Sequence, residues 1–177
     1  MNATRPTYNE DKFKELILYI SDRMEAGATM LNKVLFFSDF YYYAKYGHAI
    51  TGAEYRRLKW GPVPKRLLSA REALVEEGRA VLRADDGFAY AQTRIVPTQN
   101  PNLDLFSAAE IKLVDEVIAF LRNMTASEVS EFSHRMIGWK AAEDKEDIPY
   151  STVFLVKTEI SESDLEVATE IQASLAA

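Results

Sequence analysis

Residues 29–46 read TMLNKVLFFSDFYYYAKY, and the way this stretch must pack decides the fold. At 100° per residue, Leu31, Val34, Leu35, Tyr41 and Tyr42 fall on one side of a helix and Phe36, Phe37, Phe40 and Tyr43 on the other. Only a narrow strip around Asn32, Asp39 and Tyr46 is polar. A helix that is apolar nearly all round has to be wrapped by other elements, so the spacing predicts a central buried helix from about Thr29 to Tyr46. Gly27 breaks the pattern before it, and Gly47 stands where a left-handed helix cap favours glycine.

Working outward, Thr7 and Glu10 have the spacing of a capping box, and Phe13, Leu16, Ile17, Ile20 and Met24 recur behind them at helical intervals. Downstream, Ile50 to Trp60 is rich in strand-forming residues, but proline donates no ladder hydrogen bond. Gly61-Pro62-Val63-Pro64 is therefore expected to end the strand by Trp60. Pro64 suits the first turn of a third helix running to about Glu77, with Leu67, Ala70 and Leu74 inward and Gly78 closing it. Val81 to Ala84 and Phe88 to Gln92 flank Asp85-Asp86-Gly87 and read as a short hairpin. Helix, helix, helix, hairpin is the order of a winged helix.

After a linker-like Pro97 to Leu103, Ser107 with Glu110 and Thr125 with Glu128 form two more capping boxes. The first leads into Ile111, Val114, Ile118 and Leu121, the second into Val129, Phe132, Met136 and Trp139. A short extended stretch is expected near Tyr150 to Val156, and Ser163 with Glu166 opens a last helix reaching Leu175. The fold class is thus mainly α (α+β): a helical domain over residues 8–156 with a short hairpin or small sheet, followed by an acidic helical tail, 157–177.

The 177 residues are 47% hydrophobic and 27% charged, the balance of a globular chain with a substantial core. There is no cysteine, which excludes disulfides, thiolate catalysis and cysteine-ligated zinc and fits a cytoplasmic location. Met1 to Glu10 lacks an apolar signal core, and no run approaches the roughly 20 apolar residues that span a bilayer, so no membrane role is expected. The net charge of −6 conceals an asymmetry: residues 1–100 carry 15 basic and 12 acidic side chains, residues 101–177 carry 6 and 15. Tyr55 to Arg71 holds Arg56, Arg57, Lys59, Lys65, Arg66 and Arg71 with no acid, either a solvated surface or a face for an acidic partner.

Catalytic chemistry finds little footing. Nucleophilic catalysis would need a hydroxyl activated by His48 or His134, and neither sits in a recognisable motif. His48 follows a helix cap and reads as a loop residue; His134, three residues after Glu131, reads as a structural hydrogen-bonding side chain. Two histidines 86 positions apart (134 − 48) fit no familiar zinc spacing, and the seven scattered glycines form no phosphate-cradling loop, so no metal or cofactor is expected. What remains is a binding surface.

Leu31 to Phe40, Lys45-Tyr46-Gly47, Ile50-Thr51-Gly52 and Trp60-Gly61-Pro62-Val63-Pro64 resemble the opening half of the Panacea domain, the antitoxin SocA-like domain. Ser133-His134, Trp139-Lys140 and Ile148-Pro149 are similar to the closing motif of that family. The resemblance implies a helical domain, often encoded beside a toxin or in phage-related bacterial loci, that neutralises a cognate protein toxin by direct binding. Of the matched residues, Asn32 and Asp39 are expected to hold neighbouring backbone. Gly61, Pro62 and Val63 should shape a turn, with Trp60 and Trp139 in the core and His134 as a structural residue of the motif. Tyr43, Tyr46, Arg56, Arg57, Lys59, Lys65 and Arg66 are the candidate partner-binding side chains. Two other readings stand beside this one. In a winged-helix DNA-binding regulator, Lys65 and Arg66 would enter the major groove and Arg83 and Arg94 would contact phosphates, against the acidic Glu72, Glu76 and Glu77. In an adaptor, a bound protein would be handed to a cytoplasmic protease, and the terminal Leu175-Ala176-Ala177 resembles a tail such proteases read.

Overall fold

The computed structural model describes residues 6–85 and 92–155. Their elements run α1 (Glu10–Arg23), α2 (Ala28–Tyr46), β1 (Tyr55–Leu58), β2 (Gly61–Pro64), α3 (Leu67–Glu76), β3 (Ala80–Asp85), β4 (Gln92–Pro97), α4 (Ala108–Leu121), α5 (Ala126–His134) and α6 (Ile137–Ala141). Short 3-10 turns lie at Leu103–Leu105 and Tyr150–Phe154. β1 pairs with β2 and β3 with β4, both antiparallel, in separate two-stranded sheets. The fold is mainly helical α+β. The helix–helix–helix–hairpin order of the first half is present, with the β1–β2 hairpin inserted before the third helix.

The central element is α2. It packs against α1, α4, α5, β2, β4 and the 3-10 turn at Tyr150–Phe154. Leu31, Val34 to Phe37 and Phe40 are all buried, which is why both of its broad faces are apolar. It ends at Gly47 with φ 78°, a left-handed conformation that glycine adopts without a Cβ clash. The capping boxes at Ser107–Glu110 and Thr125–Glu128 form as the sequence predicts, each satisfying two orphan backbone donors.

The start of α1 differs from the expectation. Asn9, not Thr7, is the cap: its Oδ1 accepts from Lys12 N at 3.0 Å. The reason is tertiary, because Asn9 N donates to Thr51 O at 2.8 Å and holds residue 9 extended where a cap must be.

A second difference concerns the prolines. Gly61–Pro64 is a strand, and Pro64 is paired with Tyr55 instead of opening α3. Lys65 N donates to Glu54 O at 2.8 Å, continuing the ladder. In an antiparallel pair alternate residues carry the cross-strand bonds, so the donors needed are those of residues 61, 63 and 65, and the prolines fall on the even positions, where no donor is missed. The other edge of β1 is covered by residues 145–148, through Arg57 N to Glu146 O (2.8 Å), Lys145 N to Arg57 O (2.9 Å) and Ile148 N to Tyr55 O (2.8 Å).

Three further expectations shift. The second strand of the hairpin runs to Pro97, in register Asp85↔Gln92 to Ala80↔Pro97, with Ile95 buried and Thr98 N bonded to Arg79 O at 3.0 Å. The helical periodicity from Val129 to Trp139 is broken at Met136 (ψ 129°) into α5 and α6. In the last turns of α5, Ser130 and Ser133 hydroxyls donate to the Ala126 and Ser130 carbonyls at 2.8 and 2.7 Å, competing with the helical ladder. Tyr150–Phe154 is a 3-10 turn, not extended, closed by Thr152 N and Oγ1 on the Pro149 carbonyl at 3.1 and 2.6 Å.

The linker-like segment is tied down: Glu15, 6% exposed, takes two hydrogen bonds from Arg79 (2.6 and 2.9 Å) and a third from Asn102 N (2.7 Å). Those donors hold the Glu15 carboxyl below its usual range against the opposing effect of burial. The predicted turn at Asp86-Gly87, strand residues 88–91, the last helix from Ser163 and the terminal Leu175-Ala176-Ala177 lie outside the described residues.

Candidate functional site

Thr51 and Tyr55 converge on Asp39 with three hydrogen bonds. Its carboxylate is fully buried and accepts from Thr51 N (2.7 Å), Thr51 Oγ1 (2.5 Å) and Tyr55 Oη (2.8 Å). Burial pushes its pKa up, opposed by these hydrogen bonds. Asp39 therefore does hold neighbouring backbone, as expected; Asn32 does not, since its Oδ1 is buried without a partner. Gly52 completes the junction: at φ 67°, any Cβ there would stand 2.2 Å from the Thr7 carbonyl oxygen. Every one of these contacts is internal, and the arrangement joins α2 to the loop before β1.

A second cluster has a different character. It forms where the β1–β2 turn crosses α2 and α5. Trp60, expected in the core, stands at the tip of this two-residue turn and is 63% exposed, with Lys59 Nζ 4.6 Å from its ring centroid. Beside it Trp139 is half-buried between two neighbours. The His134 ring stacks on it at 3.9 Å and 16°, and the Arg57 guanidinium lies 4.2 Å from its ring centroid. Trp139 Nε1 donates to Leu58 O at 3.3 Å, and Arg57 donates to the Ala142 carbonyl. His134 hydrogen-bonds to the Lys59 backbone, while its Nε2 is enclosed without a partner. Burial, then the Lys33 and Arg57 charges, push its pKa down, so the ring is neutral at pH 7.

Under this cluster lies a residue that sequence reasoning missed. Lys33, on α2, is 1% exposed, and among the described residues its ammonium has no hydrogen-bond acceptor and no carboxylate partner. Burial pushes its pKa down to about 8. Gly61 leaves the room: a Cβ at that position would stand 2.3 Å from Ser133 Oγ and 2.7 Å from Lys33 Nζ. Thr29, Trp60, Ser130, Glu131 and His134 line an open cleft beside the β1–β2 turn. The signal in the sequence was a lysine in the middle of a helix with almost no polar face; lysines are so commonly exposed that it went unweighed.

The predicted partner-binding side chains do not form one patch. Tyr43 is buried against Tyr150 and Phe154, while Tyr46 is 44% exposed at the far end of α2, about 25 Å along the axis from Thr29 at 1.5 Å per residue. Arg57 is engaged with Trp139, and Lys65 with Asp147 (2.9 Å) and Glu54 (3.2 Å). Arg66 lies over the Tyr8 ring, 4.9 Å from its centroid, at the base of the β1–β2 hairpin, and Arg94 pairs with Glu25 at 2.9 Å. Arg56 is half-buried; Lys59 is exposed at the hairpin tip. Pro62 is buried and Val63 half-buried within β2.

Ser133 Oγ is committed to the Ser130 carbonyl and His48 to its own loop, through Tyr46 O at 3.2 Å. Among the described residues no group of three or more acidic or histidine side chains could hold a metal ion, and no helix is long and apolar enough to cross a membrane.

No curated protein and no solved structure matches the chain. The family model described as antitoxin SocA-like, Panacea domain, matches residues 31–140, from the first turn of α2 into α6, and so takes in Asp39 with Thr51 and Tyr55 and, apart from Thr29, the residues lining the cleft beside Trp60. That is more than half of the 177 residues, and the chain belongs to the SocA-like Panacea-domain antitoxin family.

Proposed function

We propose that this protein neutralises a protein toxin by binding it directly, without catalysing a reaction. Family membership carries the reading. The local chemistry agrees with it. The hydroxyl nearest His134 in sequence, Ser133 Oγ, is spent on a backbone carbonyl, and the ring itself is stacked flat on Trp139 instead of facing a nucleophile. Meanwhile a large aromatic, Trp60, stands 63% exposed beside a cleft, the kind of side chain that dominates protein–protein affinity when a partner covers it. We assign the toxin-facing surface to the β1–β2 turn and α5, with Trp60 and Lys59 at its centre.

The test is co-expression. Each gene flanking the one encoding this chain is induced alone and together with it, and growth is followed. A neighbour that arrests growth alone and is silenced by the chain is the expected result. If no neighbour is toxic, or a toxic one is not relieved, the proposal fails.

A further inference from the structure

We propose that Lys33 is the floor of a carboxylate-binding site: an Asp or Glu side chain of the protein partner enters the cleft between Trp60 and His134 and forms an ion pair with Lys33 Nζ. The inference rests on the reading that the chain works by binding a protein, and it names what that protein must present.

Three observations carry it. The first is an uncompensated charge. Lys33 is 1% exposed and has no acceptor and no carboxylate among the described residues. A buried ion without a partner is strongly unfavourable, and every other nearly buried charged side chain among the described residues is answered: Glu15 by Arg79, Glu110 by Lys12 at 2.6 Å, and Asp39 by Thr51 and Tyr55. Burial lowers the Lys33 pKa only to about 8, so at neutral pH the ammonium still carries its charge.

The second observation is where the ammonium lies. Long side chains on a helix lean back over the preceding turn, so Lys33 reaches toward Thr29, one turn earlier on α2, and Thr29 lines the cleft. A Cβ on Gly61 would stand 2.7 Å from Lys33 Nζ and 2.3 Å from Ser133 Oγ, and the chain neighbours of Gly61 and Ser133, Trp60 and His134, line the cleft. Gly61 is what permits this, because a side chain there would occupy the space of the lysine.

The third is charge. The basic groups that face this place are Lys33 and Arg57, which both act on His134, and Lys59 stands at the mouth over Trp60. The one carboxylate lining the cleft is Glu131, exposed on α5 and not within ion-pair distance of Lys33. A carboxylate arriving from outside meets a desolvated ammonium in a setting where the attraction is least screened, and Trp60 supplies the apolar surface that seals it from water.

The experiment uses the full chain with isotope-labelled lysine, following the Lys33 Cε resonance from pH 6 to 11, assigned by its absence in Lys33→Met. The probe is a blocked Gly-Asp-Gly tripeptide, with the Gly-Asn-Gly peptide and inorganic phosphate at equal ionic strength as comparisons. The aspartate peptide should saturate and raise the Lys33 midpoint by a unit or more, equivalent to a tenfold or greater preference for the charged form. The asparagine peptide should leave it in place. Lys33→Met, which has no such resonance, should not be stabilised against heat by the aspartate peptide as the unaltered chain is, and without peptide should melt at the same temperature or higher, because it removes an uncompensated buried charge. An unmoved midpoint, an equal response to asparagine, or an equal response to phosphate overturns the proposal, the last by showing a site for free anions. Because the measurement needs no toxin, its failure leaves the antitoxin reading to stand or fall on the growth assay.

Discussion

Replacing Trp60 by alanine separates a binding residue from a core residue. With 63% of the side chain exposed, 37% (100 − 63) is covered by the protein. A tryptophan can bury up to about 250 Å², so roughly 90 Å² is hidden, worth at most about 2 kcal/mol at ~25 cal/mol per Å². Part of that cover is the mobile stem of Lys59, which would re-settle over the alanine. The expected loss of stability is therefore about 1 kcal/mol. Phe37, 1% exposed and in ring contact with Phe36, Tyr41 and Phe132, should cost roughly 3 to 5 kcal/mol when truncated the same way. Urea titration followed by far-ultraviolet circular dichroism gives both numbers. Affinity for a toxin identified by co-expression should fall by about 30-fold or more with Trp60→Ala, the scale of a hot spot of about 2 kcal/mol. A stability loss as large as that of Phe37→Ala with affinity unchanged would refute the reasoning and return Trp60 to the core.

Stability should also depend on pH through Lys33. Its folded pKa is about 8 against an ordinary 10.5, so between those values the unfolded chain binds more protons and stability rises with pH. The window closes near pH 10, where tyrosines begin to lose protons in the unfolded chain while burial keeps Tyr55 and Tyr150 protonated in the fold, which lowers stability. Over pH 8 to 10 the gain should be about 2 kcal/mol in wild type and near zero in Lys33→Met; identical profiles would contradict it. Asp39→Ala should cost about 3 kcal/mol in the same urea titration, since it strands donors from Thr51 and Tyr55 in the interior; a loss below about 1 kcal/mol would show that they find other acceptors. Gly61→Ala should lower the melting temperature and displace the Lys33 resonance, because φ 107° and the crowding by Ser133 and Lys33 both oppose a Cβ; an unchanged Lys33 signal would contradict the close packing.

The parts of the fold legible in the sequence were those whose causes are local. The capping boxes at Ser107 and Thr125, the left-handed glycine after Tyr46 and the burial of α2 each follow from neighbours within a few residues. The misreadings share a non-local cause. Asn9 caps α1 because Thr51 holds it, and β2 forms despite two prolines because its register puts them where no donor is needed. At the candidate site, the matched motif residues did come together in space, but their roles were not written in their types. A tryptophan beside a proline-rich turn looks like core until the hairpin carries it out to the tip, and a lysine looks like surface until six elements close around its helix. His134 and Trp139 were legible as a pair only once the helix between them broke at Met136.

The central claim, that this chain works by holding a toxin against the β1–β2 turn and α5, is tested most directly by hydrogen exchange on the purified complex. Backbone amides of residues 57–61 and 126–134 should exchange more slowly in the complex than in the free chain, with the outer face of α4 and the Tyr46 end of α2 unchanged. Protection confined to α4 or to the end of α2, with residues 57–61 and 126–134 exchanging as in the free protein, would contradict it.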